Sequence, residues 1–236
     1  FALVTGDSGI GKSELLSFFA QRCAERGAVV LTGRCFDREN IPYKMLDPLV
    51  DALVTRLGST LAEERLALDT VDARDKAALA RMFPVFAALE RGLPEVNEPE
   101  VELRARGFAA LVEALRLIRR ARQVVLWIDD VQWGDADSLG FFAELLRSEE
   151  PPALLCVLSG RGEDSPVHRW FDAWPPGTFA VEIDRVSVGP LAPDAARELA
   201  LSELPIGAQD RLVRAQLIAE ESGGSPARGR WTGRRQ

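Results

Sequence analysis

Gly6-Asp7-Ser8-Gly9-Ile10-Gly11-Lys12-Ser13 has the form G-x-x-x-x-G-K-S, and it sits between the apolar run Phe1-Ala2-Leu3-Val4 and a helical stretch over 14–26. The spacing is that of a phosphate-binding loop. A polyphosphate needs several backbone N–H donors curled around one anion, and glycine alone bends that tightly at positive φ without a steric cost. Gly6, Gly9 and Gly11 supply the bends, and Asp7, Ser8 and Ile10 complete the cradle. The helix beginning around 11–13 aims its unpaired amides and positive dipole end at the same anion. On this reading Lys12 reaches the β/γ oxygens of a nucleoside triphosphate and Ser13 reaches Mg²⁺. A strand, a loop and a helix in that order predict an α/β fold.

Mg²⁺ and an attacking water call for a carboxylate at the end of a neighbouring buried strand. Val124, Val125, Leu126, Trp127 and Ile128 form a continuous apolar run, as in a strand covered on both faces, and Asp129 and Asp130 follow it. This has the form of a Walker B element. Asp129 is the expected Mg²⁺ ligand, through water, and Asp130 the residue that polarises the attacking water. Asp135 and Asp137 fit helix capping better than Asp129 does.

The 236 residues are 47% apolar and 28% charged, enough for one α/β domain plus a small appendage. The apolar runs fall short of a membrane span and no charged-then-apolar leader begins the chain, so the expectation is a cytoplasmic protein without a membrane partner. A net charge of −7 argues against nucleic-acid binding by this segment. Cys23, Cys35 and Cys156 lack metal-ligand spacing and read as buried thiols in a reducing compartment. His168 lies in a polar, Pro/Asp/Trp-rich stretch and reads as a surface-loop residue, which leaves no histidine-based catalysis.

Along the chain, the apolar run 28–32 predicts a second buried strand ended by Gly33, and alternation with helices implies a parallel sheet. Between 34 and 122 the pattern is helical. Asp47 and Pro48 have N-cap and N1 character, with Leu46, Leu49, Val50, Leu53 and Leu57 on one face. Phe108, Leu111, Leu115 and Ile118 mark a second face, and 92–102 reads as a loop. After the Asp pair come a helix over 138–147 and a buried strand over 153–159. Ser159 and Arg161, at that strand's carboxyl end, are candidate γ-phosphate sensors, because ligands of parallel sheets bind at that edge; an arginine merely opening a loop is the alternative. A fifth strand is expected over 179–183, and helices over 193–204 and 207–222 as a lid.

Taken together, the octet, Gly33-Arg34-Cys35, Ile41-Pro42-Tyr43, Asp129-Asp130-Val131-Gln132-Trp133-Gly134-Asp135, Ser159-Gly160-Arg161 and Gly224-Ser225-Pro226 resemble an AAA-type ATPase module of bacterial signalling proteins, similar to the STAND class of nucleotide switches. The pattern is closest to the ATPase module that follows the kinase domain in large bacterial serine/threonine protein kinases, where Arg38-Glu39, Pro42-Tyr43-Lys44 and Leu46-Asp47 also fit. LuxR-type transcription regulators and some adenylate cyclases are similar too. The resemblance covers about residues 1–226. It implies a five-stranded parallel P-loop NTPase sheet with the Ser159 strand between the first and third strands, ATP and Mg²⁺ as cofactors, Arg161 as sensor and Pro226 approaching the nucleotide. The resulting organisation is a P-loop core over 1–186 with a mainly helical insertion over 35–121, a partial helical lid over 187–226 and a disordered or aberrant tail over 227–236. The tail carries Arg228, Arg230, Arg234 and Arg235 where the family continues into an apolar helix, as expected of a fragment.

Three functions remain open at this stage: a slow regulatory ATPase linked to effector and sensor domains, a nucleotide-binding scaffold that hardly hydrolyses, and a phosphotransferase. The second follows from Asp130 being shorter than the glutamate of strong ATPases. The third lacks a second-substrate signature. A GTPase would need N-K-x-D, which the chain lacks, and no inter-subunit arginine finger marks a motor. Self-association stays open.

Overall fold

Leu3 and Val4 are neighbours in the first strand, yet they are buried on opposite sides of a sheet. Leu3 joins the large core, and Val4 joins a smaller cluster with Leu16 and Val157. The same two-residue alternation sets Leu126 and Ile128 against Trp127, and Cys156 and Leu158 against Val157. The computed structural model describes residues 1–37, 42–59, 68–90, 92–147, 151–162, 165–175, 178, 181–205 and 210–227. Arg38, Glu39, Ile41, Phe179, Gly207 and the arginines of the tail lie outside the described residues.

The strands β1 (Ala2–Thr5), β2 (Val29–Arg34), β3 (Val124–Asp129), β4 (Leu155–Gly160) and β5 (Asp184–Ser187) form one parallel sheet in the order β2-β3-β4-β1-β5. The Ser159 strand therefore lies between the first and third, as the resemblance implies. Helix α1 (Lys12–Glu25) covers one face. The opposite face carries the large core, built with α2 (Asp47–Ser59), α3 (Ala73–Met82), α4 (Glu100–Ala121), α5 (Ala136–Arg147) and α6 (Pro166–Asp172). Leu46, Leu49, Val50, Leu53 and Leu57 are all buried there, as are Phe108, Leu111, Leu115 and Ile118. Two helical faces read from period alone are thus the faces that pack. Residues 100–102, expected in a loop, form the first turn of α4, with Pro99 as its cap residue.

Three further expectations need correction. β2 does not stop at Gly33 but runs on to Arg34; Gly33 lets α2 approach closely, since a Cβ there would lie 3.2 Å from Pro48 Cβ, and does not end the strand. The fifth strand is Asp184–Ser187, beyond the apolar stretch expected to form it, and it pairs with β1 as an exposed edge. An edge strand needs no apolar run, while Val181 and Ile183 pack half-buried against the core. His168 is no surface-loop residue. It is fully buried in α6, where Ser165 caps the helix and its hydroxyl lies 2.5 Å from His168 Nδ1.

Cys35 and Cys156 are buried and Cys23 is half-buried, none of the three in a disulfide; burial pushes the Cys156 thiol up to about 12. Helices α7 (Pro193–Glu203) and α8 (Arg211–Ser222) form a small unit with its own core of Ala200, Leu204, Ala215 and Ile218. Among the described residues no helix is long and apolar enough to cross a membrane.

Candidate functional site

The parallel register brings the carboxyl ends of the strands together. Thr5, which leads into the octet, is in register with Gly160 on one side and Ser187 on the other, while Arg34 faces Asp129 across β2 and β3. Every residue singled out in the octet, in the Asp pair and at the end of β4 therefore sits along one edge of the sheet.

Within the octet, Gly9 and Gly11 take φ of 77° and 101°, the left-handed region that favours glycine. Gly6 is required by proximity, since a Cβ there would lie 2.5 Å from the Val188 carbonyl oxygen. Ile10 is buried beneath the loop, and Asp7 and Ser8 are exposed at its rim. Gly11 caps α1 and has no side chain to satisfy the first amides, which leaves them available to an anion. Lys12 is only 7% exposed, and its ammonium donates to the carbonyls of Gly6 at 2.7 Å and Asp7 at 2.9 Å. Burial pulls the Lys12 pKa down from its ordinary value; Asp129 and Asp130 oppose that pull and the Arg161 cation adds to it.

Ser13 Oγ donates to Asp129 Oδ2 at 2.6 Å. A hydroxyl and a carboxylate at the mouth of an amide-lined loop are hard oxygen donors of the kind Mg²⁺ takes alongside phosphate oxygens, so these residues fit a Mg²⁺–polyphosphate. The other Asp129 oxygen, Oδ1, accepts from Ser159 Oγ at 2.7 Å and from the Asp130 amide at 3.0 Å. Trp127 Nε1 donates to the same Ser159 hydroxyl at 2.9 Å. Because a carboxylate oxygen can only accept, that hydroxyl turns its proton to Asp129. Ser159 is fully buried, so the direct γ-phosphate contact expected of it gives way to a supporting one behind Asp129.

Asp130 lies just past the end of β3 in the left-handed conformation, φ 57° and ψ 39°, which aspartate tolerates better than most residues. Its Oδ2 accepts from Arg34 Nε at 2.9 Å and Nη2 at 2.6 Å, and its Oδ1 from Gln132 Nε2 at 2.9 Å. Burial pushes the Asp130 carboxyl up, but the hydrogen bonds from Gln132 and Arg34, with the positive charges of Arg34 and Arg161, hold it below the ordinary value. Arg161 is exposed, and its N–H donates to Gln132 Oε1 at 3.0 Å. The charge of its guanidinium reaches both Lys12 and Asp130, lowering the pKa of each.

The segment after α8 closes on the octet at the Gly9 carbonyl. Ala227 N donates to the Gly9 carbonyl at 3.2 Å, Ser225 Oγ to the same oxygen at 3.4 Å, and Leu191 N to Gly224 O at 2.9 Å. Pro226 Cγ lies 3.6 Å from where a Cβ on Gly11 would stand.

The AAA ATPase domain profile matches residues 1–158, from β1 through the Asp pair to β4. The chain belongs to the AAA ATPase domain family. This AAA ATPase domain is also similar to an uncharacterized protein of Rhizobium meliloti (strain 1021), at 26% identity over 184 residues, 76% of this chain and 18% of that protein. Among solved structures it resembles the Signal Transduction ATPase with Numerous Domains (STAND) protein with a tetratricopeptide repeat sensor from Pyrococcus horikoshii, with a TM-score of 0.50 and 12% identity over 95% of this chain and 26% of that one. It likewise resembles the Aeropyrum pernix ORC2 protein, solved as ADPNP–ADP complexes, with a TM-score of 0.52 and 15% identity over 97% of this chain and 53% of that one. At these identities the two structures speak for the fold alone, a parallel sheet flanked by helices. The chain spans less than a fifth of the curated relative and between a quarter and about half of the two solved chains.

Arg34, Gln132 and Trp127 carry roles that no reading of the AAA domain's sequence assigned to them. Arg34 appeared only as part of a turn, Gln132 as a letter after the Asp pair and Trp127 as one apolar residue of a strand. The available signal was register: residues that end adjacent parallel strands face one another, and Arg34 and Asp129 do so.

Proposed function

We propose that this AAA domain binds Mg·ATP and hydrolyses it slowly, its nucleotide state being read by effector and sensor domains of a longer bacterial signal-transduction protein in the cytoplasm, with a serine/threonine protein kinase as the effector. The observation that carries the reading is the 2.6 Å contact of Ser13 with Asp129, beside the buried ammonium of Lys12. Mg²⁺, when bound, neutralises charge on the β- and γ-oxygens. Lys12 and the loop amides, of Gly6, Asp7, Ser8, Gly9, Ile10, Gly11 and Ser13, hold the phosphates. Ser13 and Asp129 hold the metal, Asp130 orients and polarises the attacking water, Arg161 stabilises charge on the transferred phosphoryl group, and Pro226 borders the nucleotide.

A scaffold that binds without turning over, of the kind expected in a LuxR-type regulator, is favoured by one feature: both oxygens of Asp130 already accept hydrogen bonds. Calorimetry and turnover on the whole protein separate the two readings. Lys12→Ala removes a charge-assisted contact worth about 1.5–3 kcal/mol, so the Kd for Mg·ATP rises by about tenfold to hundredfold. Asp130→Asn lowers turnover by about a hundredfold while Mg·ATP binding holds. An unchanged Kd in the first variant overturns nucleotide binding at this loop; unchanged turnover in the second overturns the role of Asp130.

A further inference from the structure

Gln132 lies two residues past Asp130 in the 3-10 turn Val131–Trp133, and both ends of its amide are in use. The Arg161 N–H points at one end, which must therefore be the oxygen; the NH₂ group then faces Asp130 Oδ1. The amide has one orientation. The strand end packs close against it: a Cβ on Gly160 would stand 2.9 Å from Gln132 Oε1 and 3.1 Å from Val131 Cγ2, so an alanine there would push the amide aside. Asp130 is thus gripped unequally. Its Oδ1 is held by an amide anchored to β4, whereas its Oδ2 is held by Arg34, whose side chain is 59% exposed and has rotamers to leave by. A water that reaches the carboxylate can take the second lone pair of Oδ1 or displace the exposed Arg34 from Oδ2.

We propose that Gln132 is a positioning residue for hydrolysis: through its two amide bonds, one to Asp130 Oδ1 and one from the backbone N–H of Arg161, it fixes the carboxylate plane of Asp130 against the main chain just past β4. The proposal rests on the reading of Asp130 as the group that polarises water. Its physical basis is that a reacting group displaced by about 1 Å costs on the order of a hundredfold in rate, even when the change lies outside the bond-making atoms.

The test measures kcat and the Kd for Mg·ATP in the whole protein for wild type, Gln132→Ala, Gln132→Glu, Gly160→Ala and the double variant Gly160→Ala/Gln132→Ala. Gln132→Ala lowers kcat by about tenfold or more with Kd held within about twofold. Gln132→Glu keeps an acceptor for the Arg161 N–H but loses the donor to Asp130, and its kcat falls as far. Gly160→Ala displaces the amide and reproduces the loss, and the double variant is no slower than Gln132→Ala. Unchanged kcat in Gln132→Ala, full activity in Gln132→Glu, additive losses in the double variant, or a loss that tracks weakened Mg·ATP binding would each overturn the proposal. Should Gly160→Ala not fold, the Ala and Glu variants at 132 decide alone. A wild type that binds Mg·ATP but turns over no faster than Lys12→Ala overturns the hydrolytic reading and this role with it, an outcome distinct from active wild type with unaffected variants.

Discussion

Ser13 and Asp129 stand 116 positions apart in the chain, and Ser13 Oγ donates to Asp129 Oδ2 at 2.6 Å. Ser13 opens α1, which the loop joins to β1, and Asp129 ends β3; β1 and β3 are not neighbours, and β4 lies between them. The contact bridges over the end of that middle strand, and Ser159 of β4 supports it from beneath through the other carboxylate oxygen. The candidate metal pair therefore depends on a third strand with no exposed part in it.

Ser159→Ala tests that dependence. The substitution removes one donor from Asp129 and leaves the Trp127 indole N–H without its acceptor, in a position with no exposure to water. Such a loss costs about 1–3 kcal/mol. Urea unfolding followed by circular dichroism should show a lowered midpoint at unchanged slope, and a Trp127→Phe partner should make the double change less than additive. A midpoint equal to wild type would show that the buried hydroxyl is not holding the site.

Arg34→Ala separates restraint from support. The guanidinium is largely exposed, so its ion pair with Asp130 contributes only about 0.2–1 kcal/mol to stability. Freed of it, Oδ2 can take a water while Gln132 still holds Oδ1. Basal turnover of Mg·ATP is expected to rise with the melting temperature barely moved. A fall in turnover would mean that Arg34 supports the reactive geometry instead of restraining it.

Asp135→Ala addresses the root of the helical insertion. The Asp135 carboxylate accepts from the amide and hydroxyl of Ser138, at 2.8 and 2.7 Å, and from the amides of Tyr43 and Met45, both at 3.2 Å. It caps α5 and at the same time holds Tyr43 at φ 62°, a conformation that costs a bulky residue about 1–3 kcal/mol. Loss of the cap alone costs about 0.5–2 kcal/mol. Hydrogen exchange should therefore quicken at the Tyr43 and Met45 amides as well as in the first turn of α5. Faster exchange in α5 alone would show that Asp135 is a simple cap.

Local chemistry made much of this readable in advance. The octet, the apolar run before Asp129 and Asp130, and the one-sided faces of α2 and α4 each depend on neighbours within a turn or a strand, and each stands where the pattern put it. The misplaced residues are those whose neighbours come from elsewhere in the chain. His168 sits among polar letters but is buried along with Val167 and Phe171, which the same helix α6 sets in the core. Gly33 looks like a strand end because glycine usually breaks a pattern, whereas here it admits Pro48.

By itself the sequence determined the phosphate loop, the paired carboxylates and the alternation of strand and helix, because glycine dihedrals, dipole ends and hydrophobic period act over a few residues. Only the tertiary structure decided that Ser159 backs Asp129, that Arg34 and Gln132 divide the oxygens of Asp130, and that Ser225 and Ala227 close on Gly9. Those are contacts between strand ends and a distant helical unit. They are set by sheet order and register, and a hydrogen bond of under 3.5 Å leaves no trace in the spacing of the letters that make it.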